Sequence, residues 1–553
     1  MNTVNITFPD GRKEDFSSGT RFIDIISQKD KENLPSPLIA VKVNNELQSL
    51  YTRAVVNSKA EPVELASPEG IMVYRRSLCF LLTVAASNIF IKHRLVIGHS
   101  LGNSYYYHFE DYEEIPDDQL SQLKFQMEEL VKQDLPIQKH LLSYEDALEH
   151  FESQLQPDTA LLLKYRNNPQ IPVYVCGEYM DLRHGAVAPS TGLLKYFDIK
   201  KYGSGLILHY PSSKNPLQLG EFVDQPILYN VYKEYKYWGK VLNVNCVGKL
   251  NQLTDQGEIE KFIHVAEALQ EKKISEIADK IFERRNNAKV VLIAGPSSSG
   301  KTTFTKKLAI QLKVLGLRPI TMSLDDYFVE HERTPIDEDG NYDFEALETI
   351  DVPLLNDHLL RLMNGETVET PIFDFKAGRA KPKGRPTQLP EGSILIMEGI
   401  HGLNDKLTPK IPKERKYKIY VSALTQLNLD DHNRISTTEN RLIRRMVRDH
   451  KFRGQNALGT IRMWPSVRRG EDKNIFPFQG TADSAFNSAL DYELAVLKVY
   501  AEPLLKAVKP YHKEYTQAVN LLMFLNNFTP VPSKFIPQRS ILREFIGDSG
   551  FKY

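Results

Sequence analysis

Cysteine is scarce in this chain: Cys79, Cys176 and Cys246 are the only three in 553 residues, and they lie far apart. That excludes a disulfide framework and a Cys-rich zinc site and fits a reducing, cytoplasmic setting. No sign of charge is in excess, because Lys+Arg 70 balances Asp+Glu 70. No global field draws the chain to nucleic acid or an anionic membrane, so any polyanion site has to be local. The start, MNTVNITFPDGRKEDF, lacks the basic and then apolar pattern of a secretory signal. Long apolar runs are missing as well. The longest, Ser77 to Ile91, is bracketed by Arg76 and Lys92 and falls short of the roughly 20 residues that span a bilayer. It predicts a buried helix and no membrane partner.

What is present reads as a globular α/β protein of several domains, since hydrophobic residues make up 41% and charged residues 25%. No internal repeat punctuates it. Residues 1–61 predict a small α+β unit: a hairpin of Val4–Phe8 and the residues up to Phe16 around Pro9-Asp10-Gly11, a helix near Phe22–Ser27, and a strand at Leu38–Val43. Residues 62–240 form a second unit, with an acidic amphipathic segment at Gln119–Lys132. Apolar residues at helical spacing between Thr254 and Arg285 predict one or two connecting helices, broken near Lys273, within a connector at 250–287. A third unit covers 288–510, and 511–553 is a C-terminal extension.

The chemistry is concentrated in KVVLIAGPSSSGKTTFTKKLAIQL. A β-branched strand (Val290–Ile293) runs into Gly295-Pro296-Ser297-Ser298-Ser299-Gly300-Lys301-Thr302-Thr303 and then into a helix, the context that a phosphate loop requires. Gly295 and Gly300 permit the tight turn, backbone N–H groups converge on the phosphates, Lys301 reaches the β/γ-phosphates, and the Thr302 hydroxyl can ligate Mg²⁺. ATP and Mg²⁺ are the implied cofactors. A strand ending in Asp325-Asp326 sets a carboxylate at the edge where ligands bind in open α/β sheets. Another ending in Glu398-Gly399 sets one to hold Mg²⁺ directly or through water. In ENRLIRRMVRDHKFRG, Arg441 with Arg445 and Arg444 with Arg448 stand at i,i+4. Like charges so spaced repel, and Glu439 and Asp449 neutralise them only in part, so the helix reads as a phosphate-closing lid.

Taken in order, GPSSSGKT, SLDDYF, PIFDFKAGR, ILIMEGIHGL and RLIRRMVRDHKFRG resemble the uridine kinase and phosphoribulokinase family of P-loop kinases. That resemblance implies a doubly wound parallel sheet. It makes Asp325 the base near the acceptor hydroxyl, Asp343 the group that holds a nucleoside sugar, and Arg445, Arg448 and Arg453 the lid. It also implies transfer from ATP to a nucleoside or another small hydroxyl compound.

The front resembles two modules of threonyl-tRNA synthetases: a TGS-type β-grasp domain, carried by the PDG hairpin and IAVKVNNEL, and the synthetase's second, editing domain, carried by VIGHSLGNSYYYHFE and MDLRHGAVAPSTG. Such modules admit an RNA or small-molecule effector, and a homo-oligomer stays open. A nucleotide-regulated RNA-binding protein is therefore the alternative to a kinase. SLDD discriminates the two, since a switch needs no acceptor base.

Two departures from these families matter. The kinase family's acceptor segment reads Pro371, Phe373, Asp374, Phe375, Gly378 and Ala380 here, so the base-contacting Tyr and His are replaced. Phe373, Phe375 and Gly378 then offer stacking and space above Gly378 but no side-chain hydrogen bond, which predicts no strong preference for uridine. In the editing-type domain the four zinc-competent positions fall on Arg76, Phe80, Arg183 and Val187, which cannot ligate a metal. Purified protein should therefore carry no stoichiometric zinc and should not deacylate mischarged tRNA; one tightly bound zinc per chain in elemental analysis would contradict this.

Overall fold

The computed structural model describes residues 3–32, 34–110, 113–336, 340, 342–374 and 377–552. In the first unit the alternating run Thr3–Thr7 (β1) pairs antiparallel with Lys13–Ser17 (β2), Val4 opposite Phe16. The turn is tight because Gly11 sits at φ +86, open to glycine at no steric cost. A short helix at Phe22–Ile25 and strand β3 at Leu38–Val43 follow, with β4 at Glu46–Gln48 and β5 at Ser58–Glu64. The sheet order β2-β1-β5-β3-β4 is mixed, β1 and β5 running parallel, and Ile6, Phe22, Ile25 and Val41 fill the core beneath it.

The apolar helix is longer than its apolar run. It spans Pro68–Ile89 (α1, 22 residues), because the Ser67 hydroxyl accepts from the Gly70 N–H and starts it nine residues before Ser77 is reached. By length and composition it is long enough to cross a membrane, but 78% of its most apolar window is buried within the chain. Its own Phe80, Leu81 and Leu82 share a buried core with Tyr107. A four-stranded antiparallel sheet, which includes Leu95–Ser100 and Ser104–Phe109, and a three-stranded one from 138 to 181 complete the front half. The expected break at Lys273 does not occur. One helix runs unbroken from Ile259 to Glu283 (α2), because Lys273 is ion-paired to Glu234 and Glu276 and so covers the gap in the apolar stripe.

The back half is built on five parallel strands: Val290–Ala294 (β6), Arg318–Ser323 (β7), Ser393–Glu398 (β8), Lys416–Ser422 (β9) and Ser484–Asn487 (β10), in the order β7-β8-β6-β9-β10. Strand β6 lies centrally and is wholly buried, as expected of a parallel strand covered on both faces. Helices Lys301–Val314 (α3), Thr437–Arg453 (α4) and Ala457–Asn474 (α5) pack around the sheet. Helix α5 contains Pro465.

The two halves join through the turn that leads into α4. Asp431, fully buried, accepts from Arg94 Nε at 2.6 Å, the Thr159 N–H at 2.9 Å and the Thr159 hydroxyl at 3.0 Å. Beside it His432 Nδ1 meets Asp181 at 3.0 Å, and Arg183 donates to the His432 carbonyl at 2.9 Å and to Thr83 Oγ1 at 2.9 Å. Arg76, Phe80, Arg183 and Val187 serve packing: Arg183 lies 5.6 Å over the Phe80 ring, Val187 is fully buried, and Arg76 donates to the Ala186 carbonyl at 2.7 Å. Without Asp431, Arg94 keeps Glu110 at 2.8 Å and Asp158 at 2.6 Å, but the Thr159 N–H and hydroxyl lose their acceptor, and a buried donor left unsatisfied costs about 1–3 kcal/mol. Asp431→Ala should lower the unfolding free energy measured in urea by an amount in that range, with a lower midpoint, and split a single unfolding transition into two; an unchanged midpoint would show that Asp431 contributes nothing to joining the halves.

Candidate active site

The phosphate loop closes against its neighbours as its glycines require. A Cβ on Gly295 would stand 2.0 Å from the Val421 carbonyl oxygen, and Gly300 sits at φ +80 against Ile541. The Ser298 and Ser299 hydroxyls are buried there without a protein partner, leaving donors for which a phosphate is a natural acceptor. Lys301 lies across the loop with its ammonium 3.3 Å from the Pro296 carbonyl. At the end of β8, Glu398 Oε1 accepts from the Thr302 hydroxyl at 3.2 Å. Burial, with Asp325 and Glu544 beside it, pushes Glu398 up to about 7 despite Lys301. A hydroxyl next to a crowded carboxylate fits a divalent cation, which would relieve that crowding.

Asp325 and Asp326 point to different places. Burial raises Asp325, and its charged neighbours are Lys301, Asp326 and Arg453. Asp326 instead accepts from the Phe373 N–H at 3.2 Å, and its neighbouring cations are Arg385 and Lys381. A cavity of about 250 Å³ beside Asp326 is lined by Met322, Tyr327, Thr370 and Arg385. Asp325 is thus the carboxylate that faces the phosphate loop. Glu345, which the sequence reading passed over, joins it: burial and Glu471 push it up to about 7, and its Oε2 is buried without a partner near Arg445, Lys301 and Asp325. The signal was available in NYDFE, two residues beyond Asp343. Asp343 itself turns its Oδ1 onto the Glu345 N–H at 3.1 Å.

The arginines of α4 divide into two sets, and carboxylates from outside the helix complete the neutralisation that the sequence reading found only partial. Arg441 and Arg444 are almost completely buried and ion-paired to Glu471 and Glu493, carboxylates from distant segments with no motif to announce them. Arg441 Nε donates to the Ser297 carbonyl at 3.0 Å and Arg444 Nη1 to the Ser298 carbonyl at 3.3 Å, so this set braces the phosphate loop from below. Arg445, Arg448 and Arg453 instead gather on Asp449, at 3.2, 2.7 and 3.6 Å. Arg445 also reaches the Ser297 hydroxyl at 2.8 Å.

On the acceptor side, the space expected above Gly378 is taken. A Cβ there would lie 2.5 Å from His331 Nδ1, and the His331 N–H donates to the Gly378 carbonyl at 3.0 Å. Phe373 is buried, with Phe328 at 5.8 Å and His331 at 6.2 Å between ring centroids; the exposed aromatic faces belong to Tyr342 and Phe344, which also touch His331. His331 therefore returns a side-chain donor and acceptor to this face. Phe375 lies outside the described residues.

Residues 290–495 match the model of the Phosphoribulokinase / Uridine kinase family. This part of the chain is a domain of that family. The N-terminal part is similar to threonine–tRNA ligases: 30% identical over 193 residues to that of Desulforamulus reducens, covering 35% of this chain and 30% of the ligase, and 30% over 202 residues to that of Syntrophotalea carbinolica, covering 36% and 31%. The chain spans about three tenths of the length of these curated relatives. Among solved structures, that titled a possible uridine kinase from Bacillus stearothermophilus is 17% identical, covering 38% of this chain and all of that one at a TM-score of 0.25.

The crowded carboxyls of this kinase domain have a consequence for stability. An unfolded Glu titrates near 4.3, whereas folded Glu398 and Glu345 titrate near 7, so the folded state holds protons that the unfolded state does not. Stability from these groups is full below the unfolded value and is lost as pH rises through about 7. Ligand-free Glu398→Gln should melt about 2–4 °C above wild type at pH 8, what 1 kcal/mol is worth in a domain of this size, and should show a flatter pH 6–8 dependence. Equal slopes in a calorimetric series would contradict this.

Proposed function

We propose that the chain transfers the γ-phosphoryl group of ATP to a hydroxyl of a small molecule, the 5′-OH of a nucleoside. The observation that carries this reading is the meeting of Lys301 and Asp325 at one end of the parallel sheet, a phosphate cation and an acceptor-side carboxylate among each other's nearest charges. A nucleotide-regulated RNA-binding protein would need only the first of the two.

Most of the catalysis would be positioning and charge stabilisation. The loop amides and Lys301 hold the β- and γ-phosphates. Thr302 and Glu398 would hold Mg²⁺, which when bound supplies charge neutralisation between those phosphates. Asp325 orients the acceptor hydroxyl and takes its proton. Arg445, Arg448 and Arg453 can leave Asp449 for the transferring group without disturbing the buried pairs of Arg441 and Arg444. Nearby Tyr342 and Phe344 offer flat apolar faces on which a base can stack, and His331 offers a hydrogen bond, which supports a nucleoside over a small polyol.

Two experiments test the reading. ATP consumption with and without a nucleoside panel should be acceptor-dependent, should vanish in Lys301→Ala, and should fall by roughly two to four orders of magnitude in Asp325→Asn while ATP still binds. Acceptor-independent turnover that survives Asp325→Asn would reject it. For specificity, kcat/KM over uridine, cytidine, adenosine, guanosine and inosine should show a preference that His331→Ala reduces at least about tenfold, since losing a base-reading hydrogen bond relaxes discrimination. An unchanged ranking and spread in that variant would remove His331 from base reading.

A further inference from the structure

The phosphate loop is already engaged by a carboxylate from the far end of the chain. Thr303 follows the Lys301-Thr302 pair at the start of α3; its N–H donates to Glu544 Oε2 at 3.1 Å and its hydroxyl to the same oxygen at 2.6 Å. These donors belong to the open helix N-terminus and phosphate loop, the place where backbone N–H groups cradle nucleotide α- and β-phosphates. Another carboxylate, Glu471, accepts from the Ser297 N–H at 2.9 Å, but its charge is answered by Arg441 and Arg468 and it is fully buried. Glu544 differs. It makes no ion pair within 4 Å among the described residues and is only half-buried.

The segment around it is firmly seated. Ile541, Leu542, Phe545 and Ile546 are buried. Phe545 lies 5.0 Å from the Arg444 guanidinium, Lys451 donates to the Ile546 carbonyl at 2.6 Å, and Arg543 donates to the Ile536 carbonyl at 2.7 Å. Unseating it would expose four large apolar side chains to water. The carboxylate alone can swing into solvent while the backbone stays.

We propose that Glu544 sets the affinity of the phosphate loop for nucleotide: in the ligand-free chain its carboxylate stands in for a phosphate on Thr303, and it swings away when a nucleoside triphosphate seats. The inference rests on the kinase reading and adds a residue from outside the family-matched segment, which ends at 495. Its charge opposes a polyanion twice, by occupying the donors and by remaining near the site once displaced. Glu398 and Lys306 both feel that charge.

Equilibrium binding of ATP and of a non-hydrolysable analogue to the full chain tests this, with wild type, Glu544→Ala, Glu544→Gln and Lys301→Ala compared. Glu544→Ala should tighten binding about tenfold, the worth of one charge-assisted hydrogen bond, while lowering the ligand-free Tm. Glu544→Gln keeps the shape, loses only the charge, and should tighten binding less; it carries the test should the alanine variant fail to fold. A merely structural Glu544 would lower Tm without tightening ATP. If wild type binds ATP in a Lys301-dependent way and the folded Glu544 variants bind no tighter, this proposal falls and the kinase reading stands. If neither wild type nor the Glu544 variants bind ATP at millimolar concentration, the kinase reading falls and takes this proposal with it.

Discussion

A fully buried carboxylate, Asp431, is the point on which the arrangement of the molecule turns. A charge removed from water is tolerable only where donors already point at it, and those donors, Arg94 and Thr159, belong to the front half. The kinase sheet therefore cannot present its 428–433 turn correctly unless the synthetase-like domain is folded beneath it. Arg183 and Asp181 bind the same turn through His432. Arg183, where the resemblance to the synthetase's editing domain puts a metal-ligand position, is instead part of the domain joint.

From that turn the chain passes directly into α4, so the joint sets where the arginines stand. The helix starts at the Ser436 cap and runs about 25 Å over its 17 residues at 1.5 Å each. It is a rod pinned near its start by the front half, along its first half by the phosphate-loop contacts of Arg441, Arg444 and Arg445, and near its end by Lys451 on the Ile546 carbonyl. Glu439, near its start, is raised by burial and faces Arg76 of α1 and Arg434. Turning such a helix to deliver an arginine would break contacts at both ends.

What could be read from the sequence was local, and what could not was made by distant charges. The phosphate loop, the strand at Leu38–Val43 and the hairpin before it follow from glycine placement and alternation within a few residues. The counter-charges of Arg441 and Arg444 escaped notice because neutrality was sought within the helix, whereas Glu471 and Glu493 approach them from 30 and 49 residues away. Likewise the space above Gly378 could not be judged empty or full without knowing that His331, 47 positions earlier in the chain, folds onto it through its own N–H. The unbroken helix through Lys273 fails the same way, since Glu234 lies on another element. Pattern reports the periodicity of one segment; it does not report which segment will supply a counter-charge.

The division of the α4 arginines follows from this. At i,i+4 spacing Arg441 lies one turn below Arg445 and Arg444 one turn below Arg448, yet the members of each pair have different fates, because Glu471 and Glu493 ion-pair with the N-terminal member of each. Arg441 and Arg444 hold loop carbonyls, and exchanging their carboxylates for a phosphate would release the loop that binds it. Arg445, Arg448 and Arg453 share Asp449, a partner on their own helix. Exchanging an intrahelical partner for a phosphoryl oxygen moves side chains only and leaves every interdomain contact in place, so the helix can be rigid where it supports the loop and adjustable where it meets the transferring group.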